Sequence, residues 1–349
     1  MKILVTGCAG FIGNALVNNL HNKGNEIVGI DSINNYYDIN LKFERLKKLG
    51  IDAEMMKQSM SQEVNHSNFR FIRMELEDKV GLISLFKKEK FDIVVHLAAQ
   101  AGVRYSIENP EAYISSNLNG FMNILECVRI FLVDKFLFAS SSSVYGLNEK
   151  IPFSTTDSTN HPISLYAATK KSNEILAHSY SHLFSIPTVA LRFFTVYGPW
   201  GRPDMAPMIF ASNIMQGKPI SVYNQGKMVR DFTYIDDVIE AITHIIFNPV
   251  KRLENWDPQQ PNASGSSAPF RVYNIGNNKP VELKYFIKLI EESIGKKAKI
   301  NYEPLMQGDV IKTFADIESL YTDYSFRPST TIEKGVSLFV KWFIEYYAK

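Results

Sequence analysis

The stretch that decides the fold is residues 1–13, "MKILVTGCAGFIG". A short apolar run, Ile3-Leu4-Val5, ends at Thr6-Gly7, and glycines recur at positions 10 and 13. That order fits a strand, a tight turn and the opening of a helix. Gly7 permits the turn, Gly10 lets backbone approach a pyrophosphate, and Gly13 lets helix pack closely on strand. The helix N-terminus then faces the phosphates. A strand–helix turn without a ligand would use the same residues, so the sequel matters. The second run, "EIVGID" at 26–31, ends in Asp31. A carboxylate at that edge accepts hydrogen bonds from an adenosine ribose and repels a 2′-phosphate. Ser32 and Ile33 follow it, with no arginine at once. NAD is therefore predicted over NADP.

Outward from this stretch the same rhythm continues. "FRFIRM", "FDIVVHLAA", "KFLFASSS" and "TVALRFF" are short apolar runs, separated by segments with apolar residues at helical intervals, such as "NLNGFMNILECVRIF" and "KKSNEILAHSYSHLF". Strands apolar on both faces and alternating with helices imply a parallel sheet covered on each side. The predicted fold class is α/β: a Rossmann-type doubly wound parallel sheet with a smaller α/β substrate-binding domain. The first domain takes 1–195, with 232–250 returning to it as a helix; 196–231 and 251–349 form the second. Residues 251–270 are expected as an exposed loop and 51–68 as a surface insertion. Ligands of open α/β sheets sit at the carboxyl ends of the strands. Besides Gly7, Gly10, Gly13 and Asp31, the expected cofactor contacts are Phe11, Ile12, Ser32, Leu97, Ala98, Ala99 and Phe193. Glu75 and Leu76, at the third run's end, stand where an adenine neighbour is expected.

The bulk numbers exclude several classes. Over 349 residues, 45% are apolar and 21% charged, as in ordinary globular proteins. Basic residues number 38 and acidic ones 36, which gives no electrostatic case for nucleic acid or an anionic membrane. Two distant cysteines, Cys8 and Cys127, form neither a disulfide framework nor a metal-ligand spacing, so no metal is expected. A reduced, cytoplasmic setting follows. No apolar run approaches a membrane span, and the N-terminal run is too short for a signal peptide.

The chemistry is carried by "YAATK" at 166–170 and by "FASSSSVYG" upstream. Lys170 follows Tyr166 by one helical turn and shares its face. An isolated tyrosine titrates near about 10. An adjacent ammonium and an oxidised nicotinamide ring favour the phenolate, which makes Tyr166 a usable general base. Ser141, at a strand's end, is placed to hydrogen-bond the same substrate hydroxyl.

With these residues in hand, the chain resembles the extended short-chain dehydrogenase/reductase family, and within it bacterial UDP-glucuronate 4-epimerases. "HLAAQAGVRYSIENPEAYISSNLNGF", "SSSSVYG", "HPISLYAATKKSNE", "LRFFTVYGPWGRPDMA" and "VRDFTYIDD" carry the resemblance, which covers essentially the whole chain. Two departures stand out: "PLMQGDV" at 304–310 lacks a proline just before its Gly-Asp, and Glu75 replaces the usual aspartate. The resemblance implies transient oxidation of a sugar at C4 by tightly held NAD. Tyr166 would act as base, Ser141 would assist, and Lys170 would also grip the nicotinamide ribose. For the substrate it implies Asn117 near the sugar, Arg104 toward sugar or diphosphate, and Ser142, Ser143, Thr195 and Arg202 around a uronate carboxylate. Arg230 would pair with the diphosphate, Asp309 with the uridine ribose, and Val222 and Tyr223 would flank the uracil.

Related decarboxylases and 4,6-dehydratases carry a carboxylate in the turn that here reads Ser141-Ser142-Ser143. They remain alternatives, as do an epimerase for another UDP-sugar and a non-catalytic NAD-binding protein. The helices at 112–130 and 167–183 show apolar residues beyond those one sheet face needs: Phe121, Ile124, Ile130, Ile175, Leu176 and Leu183. Family members pair these helices across a dimer, so a homodimer is expected.

Overall fold

The computed structural model describes residues 1–52, 63–66, 68–306 and 310–347. The chain divides into two compact units. One comprises Met1–Glu149, Thr155–Arg192 and Ile242–Tyr273; the other comprises Lys150–Ser154, Phe193–Ala241 and Asn274–Lys349. The segment that returns to the first unit is thus Ile242–Tyr273, against 232–250 expected from the sequence.

The first unit is built on an eight-stranded sheet. In chain order its strands are β1 (Lys2–Thr6), β2 (Glu26–Asp31), β3 (Glu63–His66), β4 (Phe69–Arg73), β5 (Ile93–His96), β6 (Lys135–Ser141), β7 (Thr188–Phe193) and, after three strands of the second unit, β11 (Phe270–Ile275). Their spatial order is β11-β7-β6-β5-β1-β2-β4-β3. β4, β2, β1, β5 and β6 run parallel, and β3 is antiparallel to β4. Six of these strands are the six apolar runs of the sequence. β11 was expected as loop end and second domain; instead its six residues are all buried. Of the expected insertion at 51–68, the backbone of 63–66 forms β3 and 53–62 lie outside the described residues.

From β1 the chain winds outward through β2 and β4, then returns to β5 on the other side and winds through β6. The carboxyl ends of β1 and β5 therefore diverge, and a crevice opens where the winding reverses. Gly7 follows one strand there and Leu97 the other. One face of the sheet is covered by the helices Lys79–Glu89 and Phe121–Ile130, whose Leu82, Phe86, Phe121, Ile124 and Leu125 pack with Leu4, Val28, Val94, Phe136 and Phe138. Fully burying one such side chain contributes about 1.5–3 kcal/mol.

The second unit holds β8 (Thr195–Tyr197), β9 (Pro219–Tyr223), β10 (Val229–Tyr234), β12 (Pro280–Glu282) and β13 (Lys299–Glu303) in two small sheets, β12-β10-β8 and β13-β9. The segment "DFTYIDDVIEAITHIIF", expected as one helix, is strand β10 to Tyr234 and helix only from Ile235. The buried carboxylate of Asp231 gathers the backbone N–H groups of Asn277 at 2.6 Å, Ala315 at 2.9 Å and Asn278 at 3.1 Å. Asp237 does the same for Ser329 and Thr330, both at 3.1 Å. Among the described residues no helix is long and apolar enough to cross a membrane.

Candidate active site

The first element of the site is the turn after β1. Gly7 adopts φ +72°, and a Cβ there would lie 2.8 Å from the Ala98 nitrogen. A Cβ on Gly13 would fall 2.1 Å from the Gly7 oxygen. The helix Phe11–His21 starts at Gly10 with no side-chain cap, so its first N–H groups face out of the turn unshielded. Phe11 buries its ring and Ile12 is half-buried, so both offer the turn chiefly backbone. Asp31 closes the turn from β2: its Oδ2 accepts from Ala9 N at 3.1 Å and its Oδ1 from Ile33 N at 2.9 Å. Each oxygen keeps a further lone pair. A side-chain-free cradle, uncapped helix N–H groups and a carboxylate at the end of β2 together fit NAD.

One supporting residue was not legible in the sequence. Arg45, on the helix Ile39–Lys48, is fully buried and donates Nη1 to the Ala9 carbonyl at 3.1 Å and to Tyr37 Oη at 2.6 Å. In "LKFERLKKLG" it reads as one charge on a solvated face. Ser32 accepts from Arg73 Nε at 3.2 Å through its carbonyl. Leu97, Ala98 and Ala99 are half-buried after β5, with Ala98 N donating to Thr6 Oγ1 at 3.1 Å. Glu75 is exposed, whereas Leu76 turns its side chain into the core against Gly120, leaving only its backbone for an adenine. Phe193 is largely buried at the end of β7.

The residues expected to handle the proton stand at the end of β6 and on the helix Leu165–Phe184. Ser141 caps a single 3-10 turn, Ser142–Tyr145: its Oγ accepts from Ser143 N at 3.1 Å and lies 3.1 Å from Ser143 Oγ. Ser164 caps the helix by accepting from Ala167 N at 3.1 Å, which places Tyr166 in its first turn. Tyr166 is half-buried and its ring meets that of Tyr113 in a T-shaped arrangement, centroids 6.2 Å apart. Lys170 is buried and donates Nζ to the Ala139 carbonyl at 2.8 Å. Burial pushes its ammonium down to about 7. Beneath it, burial and the charge of Lys170 push His96 down to about 3, so the imidazole is neutral and pairs with Thr6 Oγ1 at 2.8 Å.

Asn117 needs correction. It is 2% exposed in the π-helical segment Ile114–Gly120. Its Oδ1 accepts from Gln100 N at 2.7 Å, and its Nδ2 donates to Gln100 O at 3.0 Å and to Thr169 Oγ1 at 3.1 Å. The amide's hydrogen bonds are spent on clamping the loop after β5 to the helix Leu165–Phe184, which leaves its N–H groups no donor for a sugar. Arg104 is exposed at the start of the short helix Tyr105–Glu108.

In the second unit, Thr195 is half-buried on β8. Arg202 forms a bidentate pair with Asp204, Nε to Oδ1 at 3.1 Å and Nη2 to Oδ2 at 2.5 Å. Arg230 donates Nη1 to the carbonyls of Ile311 at 2.9 Å and Val229 at 3.1 Å. Val222 is only 1% exposed, so its side chain belongs to the core and the expected uracil contact by that side chain does not hold. Tyr223 beside it is half-buried. Asp309 lies outside the described residues. No metal-binding cluster occurs among the described residues.

The profile of the NAD dependent epimerase/dehydratase family matches residues 3–276. The chain belongs to that family. Protein CapI of Staphylococcus aureus is 52% identical over 349 residues, spanning 100% of each chain. A probable UDP-glucuronate 4-epimerase of Rhizobium meliloti is 43% identical over 350 residues, 100% of this chain and 98% of its own. Among solved structures, UDP-glucuronic acid 4-epimerase from Bacillus cereus, in complex with UDP-glucuronic acid and NAD, is similar with a TM-score of 0.83 and 32% identity, covering 99% of this chain and 100% of its own. The family membership read from the motifs, and the fold it implied, are borne out.

Proposed function

We propose that this epimerase-family protein catalyses the NAD-dependent 4-epimerisation of UDP-glucuronate to UDP-galacturonate. The observation that carries the reading is the grouping of Tyr166, Lys170 and an all-hydroxyl turn, Ser141–Ser143, in the unit that also holds the side-chain-free NAD cradle. Similarity along the whole chain to proteins named UDP-glucuronate 4-epimerase supports the uronate. NAD, when bound, supplies a reversible two-electron acceptor for the sugar's C4. Tyr166 takes the proton of the 4-hydroxyl and later returns it. Ser141 hydrogen-bonds that oxygen and keeps it in reach of the phenol. Lys170, poised near neutrality, favours the phenolate as a neighbouring cation.

The hydroxyl turn also bears on which reaction follows oxidation. A 4-keto-uronate is a β-keto acid and loses CO₂ readily. Ser142 and Ser143 offer hydrogen bonds to its carboxylate where a glutamate would repel it. Within the second unit, Thr195 and Arg202 are candidates for a uronate carboxylate, Arg230 for the diphosphate, and Tyr223 and Asp309 for the uridine. Arg202 reaches a substrate anion only by sharing or leaving Asp204. The experiment is incubation with UDP-glucuronate and no added NAD. UDP-galacturonate is the expected product; a UDP-pentose, or no conversion, overturns the reading.

The enzyme is further proposed to act in the cytoplasm as a homodimer. Two unpaired, buried cysteines support a reducing setting. Phe121 and Ile124 prove to be core residues, and Leu176 packs against the same core. Ile130, Ile175 and Leu183 remain 47%, 59% and 65% exposed on the two neighbouring helices and support an interface there.

A further inference from the structure

Tyr166 and Lys170 belong to a row on the helix Leu165–Phe184 whose next member, at the same interval, is Glu174. Glu174 is 3% exposed. Arg192 of β7, itself 0% exposed, donates Nε to its Oε1 at 2.8 Å and Nη2 to its Oε2 at 2.9 Å. Lys171 Nζ lies 3.3 Å from Oε2. The Ser140 hydroxyl donates to Oε1 at 2.7 Å. The Arg192 guanidinium sits 4.9 Å from the centre of the Tyr145 ring. Ser140 immediately precedes Ser141, and Tyr145 ends the turn that Ser141 caps. The ion pair therefore touches the chain just before and just after the serine turn, while Glu174 rides on the helix that carries Tyr166.

Apolar packing alone would hold this helix against the sheet but is non-directional. A buried ion pair adds little net stability, because desolvating two charges costs about what their attraction returns. A bidentate pair does add geometric specificity. Here that specificity falls on two neighbouring ties between helix and strand: Glu174 to Ser140, and Lys170 to the Ala139 carbonyl at 2.8 Å.

We propose that the Glu174–Arg192 pair, acting through Ser140, is a positioning device that sets the separation between the Ser141 hydroxyl and the Tyr166 phenol. The proposal rests on the assignment of Tyr166 and Ser141 as the proton-handling groups. Small displacements of reacting groups are costly, so the device governs turnover more than binding.

Ser140→Ala deletes the tie and leaves the ion pair whole. Its kcat on UDP-glucuronate is expected to fall about tenfold. KM should stay within about twofold, bound NAD per protomer should match the parent, and Tm should fall by no more than a few degrees. Glu174→Gln alone strands a buried guanidinium and risks unfolding. The double variant Glu174→Gln/Arg192→Met avoids the stranded charge; it is expected to fold and to lose kcat by a similar factor. Parental kcat in either folded variant overturns the proposal. So does a loss of turnover matched by an equal rise in KM or by loss of bound NAD, since that reports general loosening. Turnover retained by Tyr166→Phe would instead overturn the underlying assignment of the base.

Discussion

Tyr166 carries the proton in the proposed reaction, and its replacement by phenylalanine removes only a hydroxyl. Turnover should fall by about 10²–10⁴-fold, with Tm unchanged, in parallel rate and melting measurements; near-parental kcat would remove Tyr166 from its role. Lys170 makes a different prediction. Its ammonium titrates near 7 in the fold and near about 10.4 in an unfolded chain. Between those values the unfolded state binds the extra proton, so this residue makes stability rise with pH across that window; below it the full penalty of the buried charge persists. Lys170→Met should therefore melt highest relative to the parent at about pH 6, with the advantage shrinking toward about pH 10. The stranded Ala139 carbonyl adds only a constant offset. A Tm difference that does not vary with pH would contradict the assignment. Glu174 has the opposite character: burial alone would raise it, but Arg192, Lys171 and Ser140 outweigh burial and hold it at about 2. Tyr166, Lys170 and Ser141 were legible because their spacing is tied to a helix face and a strand end. Glu174, Arg192 and Arg45 were not, because a charge within a helical or strand pattern gives no sign that its partner lies far along the chain. Asn117 was misread for a related reason: a polar residue near a site looks like a ligand until its amide hydrogens are accounted for.

At the scale of elements, the glycine turn is the most constrained piece of backbone. Gly13→Ala would set a methyl 2.1 Å from the Gly7 oxygen, a backbone atom that cannot swing aside. The helix Phe11–His21 must then lift off β1. The expected cost is about 1–3 kcal/mol together with loss of co-purifying NAD, read by thermal melting and by the cofactor released on denaturation. Retention of NAD at parental level would mean that the turn tolerates the shift. The strands β1, β2 and β4–β7 could be read in advance because runs apolar on both faces belong to covered parallel sheets. β10 could not be separated from the helix after it, since Phe232 and Tyr234 alternate like a strand while Ile235 continues an apolar stripe. The π-helical turn at Ile114–Gly120 left no mark in the hydrophobic pattern; it carries the Asn117 clamp, which is a tertiary contact.

For the molecule as a whole, the exposed Ile130, Ile175 and Leu183 predict association of two copies through the helices Phe121–Ile130 and Leu165–Phe184. Light scattering at micromolar concentration should report twice 39.7 kDa; a single 39.7 kDa species would defeat it. The strand β11 has a consequence of another kind. It flanks β7, whose six residues are all buried, yet it is synthesised some eighty residues later. While a nascent chain is emerging, β7 must wait on the ribosome's side of the process with one flank of N–H and C=O groups bare, an invitation to pair with a neighbouring polypeptide. Fragments ending at residues 250 and 276 both lack the backbone partners of Asp231 and Asp237 and differ in β11, so the longer one should leave a larger fraction in the supernatant after sedimentation. Equal recovery of the two would show that the sheet closes without its latecomer.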